Sequence, residues 1–220
     1  MVRQRRLLLP GQAHLIVLPT LPDLPAFRDA LDQQVFLTTL RETARAEQVQ
    51  IHAYALLPGE VRLLATVAQV ERLSRWVQAI GRRYVSAYNR RHGRAGTLWS
   101  GRFRCAVVEP GTPRLTALQY VDGPHGDESL SSASHRCGGP RDPMLIDPPE
   151  YWSLGNTPFE RESRYQRRLE AGAEPELSER LRRATIGGWP IGSVAFVDSL
   201  SASALRAVRP KARGRPRKTS

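Results

Sequence analysis

The sequence contains no apolar run near the roughly 20 residues that a membrane-spanning helix needs, and only two cysteines, Cys105 and Cys137, in 220 residues. No membrane partner is expected. The start, "MVRQRRLLLPGQ", is basic, but its apolar stretch runs only from Leu7 to Leu9 before Pro10, so a signal peptide is not expected either and the cytoplasm is the expected location. Two cysteines without a CxxC spacing make neither a disulfide framework nor a zinc knuckle. The histidines, His14, His52, His92, His125 and His135, form no HxH or HExxH pair, so spacing alone builds no metal site. Acid is also scarce: 21 Asp and Glu against 33 Lys and Arg leave a net charge of +12. A basic surface of that size attracts polyanions, and nucleic acid is the commonest of these in a cell.

What is present reads as an ordinary globular chain, 40% hydrophobic and 25% charged. "AHLIVLPT" (13–20) is a short apolar strand, and 26–48 repeats Phe27, Leu31, Val35 or Phe36 and Leu40 at helical spacing. A hairpin follows over 50–67. Residues 70–92 place Val70, Leu73, Trp76 or Val77, Ile80, Tyr84 and Tyr88 on one helical stripe that stops at Gly93. "RFRCAVVE" (102–109) alternates as a strand does, and 112–121 reads as a helix with a Thr cap and an early Pro. The predicted fold is α+β: a ferredoxin-like βαββαβ core with an extra helix carrying Tyr120. Residues 1–122 form this core, 123–150 a Gly-, Pro- and Ser-rich linker, 151–205 a helical C-terminal region, and 206–220 a basic tail expected to be disordered.

Four stretches could carry chemistry. In the hairpin, "LLPGEVRLL" puts Glu60 and Arg62 on one strand face, opposite Val61, Leu63, Ala65 and Val67. That pair is either a solvated edge or a site. The 70–92 helix and the loop after it hold Arg82, Arg83, Arg90, Arg91, Arg94, Arg102 and Arg104, with Trp99 and Phe103 between them. Arginine forks suit phosphate and aromatic rings suit unpaired bases, so the set is either a solvated basic helix or a nucleic-acid face. The tail, with Arg213 and Arg215 in "RGRPRK", resembles an AT-hook core, which would enter a narrow minor groove; non-specific phosphate attraction is the alternative. Tyr120, in "LTALQYV", is a half-buried core residue or a nucleophile.

Taken in order, "LLLPGQAHLI", "IHAYALLPGEVRLL", "LSRWVQAIGRRYVSAYNRRHGRAGTLWSGRFR", "LTALQYV", "GGWPIGS" and "RGRPRK" resemble the REP-associated tyrosine transposases, a branch of the single-tyrosine HUH transposases. The resemblance covers most of the chain and is strongest over 51–121. It implies a ferredoxin-like core acting on single-stranded DNA with hairpin ends, as a monomer or homodimer. In that family two histidines separated by one apolar residue hold a divalent metal, magnesium or manganese, and a helix-borne tyrosine attacks the phosphate to leave a 5′-phosphotyrosine link. Tyr120 matches the nucleophile. Glu60 and Arg62 stand at the two histidine positions, and Pro124 stands where a polar residue follows the tyrosine by four. A carboxylate can bind such a metal, whereas a guanidinium has no free lone pair; His125 or Asp127 could in principle replace a ligand.

The expected function is therefore a transposase-like DNA-binding protein, associated with the nucleoid, in which strand cleavage is lost or reduced. One alternative is an active strand transferase that uses Tyr120 with Glu60 as a metal ligand. Another is a general basic module for RNA or protein partners.

Overall fold

In the computed structural model, described over residues 5–124, 126, 129–172, 175–201 and 206–209, the chain begins β1 (Ala13–Pro19), α1 (Ala30–Glu47), β2 (Val49–Leu56), β3 (Glu60–Val67), α2 (Val70–Arg91), β4 (Arg104–Val108), α3 (Thr112–Asp122). The strands are antiparallel in the order β4-β1-β3-β2, which is the ferredoxin-like arrangement, and a two-residue β5 (Leu130–Ser131) extends the sheet beside β2. β1 is buried from Ala13 to Leu18 without alternation, His14 included, because both of its faces are covered.

The two faces bury different partners. Ile16, Leu18, Val61, Leu63, Ala65 and Val67 pack beneath α1 and α2, against Phe36, Leu40 and the Leu73, Trp76, Ile80, Tyr84, Tyr88 stripe. Ala13, Leu15, Leu64 and Val108 face the other way, toward Leu115, Leu118 and Tyr120 of α3. Alternation along β3 therefore sends Glu60 and Arg62 to the α3 side.

Helix starts differ from the sequence reading in two places. α1 begins at Ala30, because the Asp29 side chain caps it by accepting from Asp32 N at 3.0 Å. α3 is not capped by Thr112: its cap is Gly111, at a φ of 83° that favours glycine, and Gly111 N donates instead to Glu150 Oε1 at 2.6 Å.

Beyond α3 come the four-residue α4 (Pro149–Trp152), α5 (Pro158–Glu170), α6 (Pro175–Gly187) and α7 (Val194–Ser201). Tyr151, Tyr165 and Leu181 join the α3-side cluster, and Leu200 and Val208 pack with Leu7 and Val107. Both clusters thus mix residues from before 122 and after 150. The stretch after α6 closes the sheet edge: Ile191 N donates to Val107 O and Glu109 N to Ile191 O, each at 2.8 Å, so β4 is not left as an open edge strand. The 123–150 segment, read as a surface linker, contributes β5 and the buried Ser132, His135 and Arg136. Val208, read as part of a disordered tail, is 5% exposed. Residues 210–220, with Arg213 and Arg215, lie outside the described residues. No helix among the described residues is long and apolar enough to cross a membrane.

Candidate functional site

The α3-side start of β3 carries the first constellation. Arg62 Nε donates to Glu60 Oε1 at 2.5 Å, and the Arg62 guanidinium carbon lies 4.4 Å from the centre of the Tyr120 ring. Tyr120 sits on the last turn of α3, only 7% exposed, at a cleft of about 410 Å³ shared with Arg62, Arg168, Glu179, Arg182 and Pro124. Burial pushes the Tyr120 phenol above its usual value of 10; Arg62 opposes that push and Glu60 adds to it. The phenol is therefore protonated at neutral pH.

A divalent metal, implied by the family resemblance, would have to be held by positions 60 and 62. The residues there do not fit one. Arg62 offers no lone pair, its positive charge repels a cation, and it occupies the Glu60 carboxylate that could have served as a ligand. Among the described residues no group of three or more His, Cys, Asp or Glu side chains could hold a metal ion. His125 and Asp127 lie outside those residues. No cleavage step through a metal follows from this geometry.

Behind Tyr120, a buried ionic network fixes the end of α3. Asp122 Oδ2 accepts from Arg136 Nη1 at 2.9 Å and from the Tyr165 hydroxyl at 2.8 Å, while Ser132 Oγ donates to Asp122 Oδ1. Arg136, fully buried, also donates through Nη2 to His52 O. Its Nε lies 2.8 Å from Asp147 Oδ1, an ion pair whose alignment falls short of a hydrogen bond. Desolvating these charges is costly, so the network holds only because each is paired. It ties the tyrosine-bearing helix to β2, to the 123–150 segment and to α5.

The second constellation is the basic edge. The sequence shows few acids near the α2 arginines, but α1 brings them. Arg91 pairs with Asp29 and Asp32 at 2.5 Å each, Arg83 with Glu42 at 3.4 Å, and Arg75 with Glu47 at 3.1 Å. Arg94 is turned inward to Asn89 Oδ1 and Thr97 O. That leaves Arg82, Arg90, Arg102 and Arg104, all exposed and without an acidic partner among the described residues. Arg82 and Arg102 flank a groove of about 690 Å³ floored by Val77, Val85, Trp99 and Phe103.

The aromatic rings are less open than their sequence positions suggest. Trp99 packs against Phe36 and Tyr84 at 6.5 and 6.3 Å, and its buried Nε1 has no acceptor. Phe103 is covered by Arg6, whose guanidinium carbon is 3.6 Å from the ring centre. Arg104, Val17 and Arg62 are cross-strand neighbours in register on β4, β1 and β3. They share a face, so Arg104 projects on the same side as Arg62, two strand spacings or about 10 Å away. Sequence reasoning did not single out Arg6, Arg168 or Arg182, which these two clefts bring into play. No local pattern marks them; only the fold assembles them.

No protein-family model matches the chain, and no curated protein does. Solved structures do. A REP-associated tyrosine transposase bound to a REP hairpin is similar over 55% of this chain and 70% of its own, with 16% identity and a TM-score of 0.47. A candidate transposase from Deinococcus radiodurans R1 is similar over 55% of this chain and 95% of its own, with 22% identity and a TM-score of 0.36.

Proposed function

We propose that the chain is a transposase-like DNA-binding protein that holds single-stranded or hairpin-ended DNA and has lost, or much reduced, strand cleavage. The observation that carries this reading is Arg62, which stacks on Tyr120 and pairs with Glu60 where the resembling family displays its metal ligands. Tyr120 then has neither a metal to polarise a phosphate nor surroundings that favour phenolate.

Binding is supported by the exposed arginines that lack an acidic partner among the described residues, Arg82, Arg90, Arg102 and Arg104. Arg82 and Arg102 border a groove of about 690 Å³ on the α2 side, and Arg104 stands on the opposite sheet face, in register with the Glu60-paired Arg62. All the basic residues from 5 to 209 are arginines or histidines, never lysine. Forked guanidinium contacts to phosphate oxygens are thus available throughout. Nucleoid association follows from the same reading.

The test uses purified protein, labelled hairpin-ended single strands and Mn²⁺. The expected result is a salt-sensitive complex, preferred over duplex RNA and heparin, with no covalent adduct on a denaturing gel. An adduct that disappears in Tyr120→Phe would overturn the inactive half. Equal affinity for all three polyanions would overturn hairpin recognition.

A further inference from the structure

A third cleft lies where the N-terminal segment, β4 and the end of α6 meet. It encloses about 320 Å³ and is lined by Arg5, Arg6, Arg102, Arg104 and Arg206 beside the Gly187–Gly188 turn, with no acidic residue among the described residues of its wall. Like charges gathered around one small space repel unless an anion joins them. We propose that this cleft is a phosphate-binding pocket, separate from the Tyr120 cleft, which receives the oxygens of one phosphate group.

Arg206 is the strongest internal sign. Its guanidinium lies against Gly188, so close that a Cβ there would be 3.6 Å from Nη2, and it donates to Gly188 O. Its Nε is buried with no acceptor among the described residues. Burial draws its affinity for the proton below the ordinary arginine value, the cost of a desolvated cation that an anion beside it would relieve.

Arg6 is positioned in advance: it stacks on Phe103, and its Nε and Nη2 donate to Phe103 O at 3.3 and 3.1 Å. The C-terminal end of α6 faces the same cleft with a partial negative charge of about half a unit. That offsets only a small part of five guanidiniums, so helix capping alone does not account for the cluster. Arg6, Arg102 and Phe103 also line the Trp99 groove. A strand with a base in the groove could place a neighbouring phosphate here. Only this choice of source rests on the DNA-binding reading; a free phosphate compound satisfies the same chemistry.

The full chain is titrated with inorganic phosphate against chloride at equal ionic strength, following thermal unfolding and calorimetric heat. The expected result is a saturable rise in Tm with phosphate only, lost when Arg5→Ala is combined with Arg104→Ala, two exposed positions. Arg102→Ala alone should weaken it. A rise no greater than with chloride, or an equal rise in the double variant, overturns the pocket. A labelled single-stranded oligonucleotide then identifies the source. A roughly tenfold affinity loss in the double variant supports the nucleic-acid backbone; unchanged affinity with a lost phosphate response supports a free phosphate compound. If no form binds the oligonucleotide while the phosphate response persists, the DNA-binding reading fails and the pocket stands.

Discussion

Arg62 and Tyr120 are joined as cation and ring, 4.4 Å apart, with Glu60 holding the guanidinium from the other side at 2.5 Å. Such a contact contributes about 0.5–2 kcal/mol, depending on how dry it is. Arg62→Met keeps the apolar stem and removes the charge, leaving Glu60 without its partner. The expected loss is about 1 kcal/mol in urea unfolding, with an unchanged m-value. No loss would mean that the pair is merely adjacent.

Replacing the pair tests the metal argument directly. With Glu60→His and Arg62→His together, two imidazoles would stand one residue apart on the same strand face, beside Tyr120. The double variant should gain a Tm increase with Zn²⁺ or Mn²⁺ that the parent chain lacks; about 2.7 kcal/mol is expected at a hundredfold excess over Kd. Equal metal response in both proteins would refute the assignment of these positions.

Arg136→Met should be among the most damaging single changes. It leaves Asp122 buried without its cation and Asp147 with only Arg141 and His135 beside it, and breaking a buried pair from one side costs about 3–5 kcal/mol. Circular dichroism melts would show a large Tm drop. Combining Arg136→Met with Asp122→Asn should recover part of it, because fewer uncompensated charges remain.

Where the sequence was legible, a period carried the signal. The Leu73 to Tyr88 stripe and the Val61 to Val67 alternation each state a face, and the βαββαβ order follows from them. Polar partners separated by long stretches of chain carry no period. Arg91 looks free beside its neighbours, yet its carboxylates, Asp29 and Asp32, are 62 and 59 residues earlier. Arg136 sits in a Gly-, Pro- and Ser-rich stretch that reads as surface, because its place in the core is set by charge pairing with Asp122 and Asp147. The Glu60 and Arg62 position was legible through alternation; the guanidinium's stacking on Tyr120 needed the packing of α3.

Those long-range pairs separate the arginines into two groups for binding experiments. Arg82→Ala and Arg102→Ala, both exposed and lining the groove, should each lower single-strand affinity and reduce the slope of log K against log salt by about 0.7. Arg91→Ala should instead lower stability, since it leaves Asp32 buried and short of a partner. A salt slope unaffected by Arg82→Ala and Arg102→Ala would remove the groove from the interface.

His14 and His52 make the fold sensitive to acid. Burial lowers both from an ordinary value of 6.5 to about 4, and each has a defined partner: His14 Nε2 accepts from Leu9 N at 3.2 Å, while His52 bridges Ile146 O and the Thr66 hydroxyl at 2.7 and 2.8 Å. Between pH 6.5 and 4 the unfolded chain takes up protons that the folded chain refuses. The stability associated with neutral imidazoles is therefore complete above pH 6.5 and is lost as pH falls toward 4, on the order of 3 kcal/mol for each ring. Urea midpoints measured from pH 7.5 down to 4.5 should fall steeply over this window. His52→Gln, which keeps polar contacts without a titrating ring, should be less stable at pH 7.5 but show a shallower decline; an unchanged slope would mean that His52 titrates normally in the folded chain.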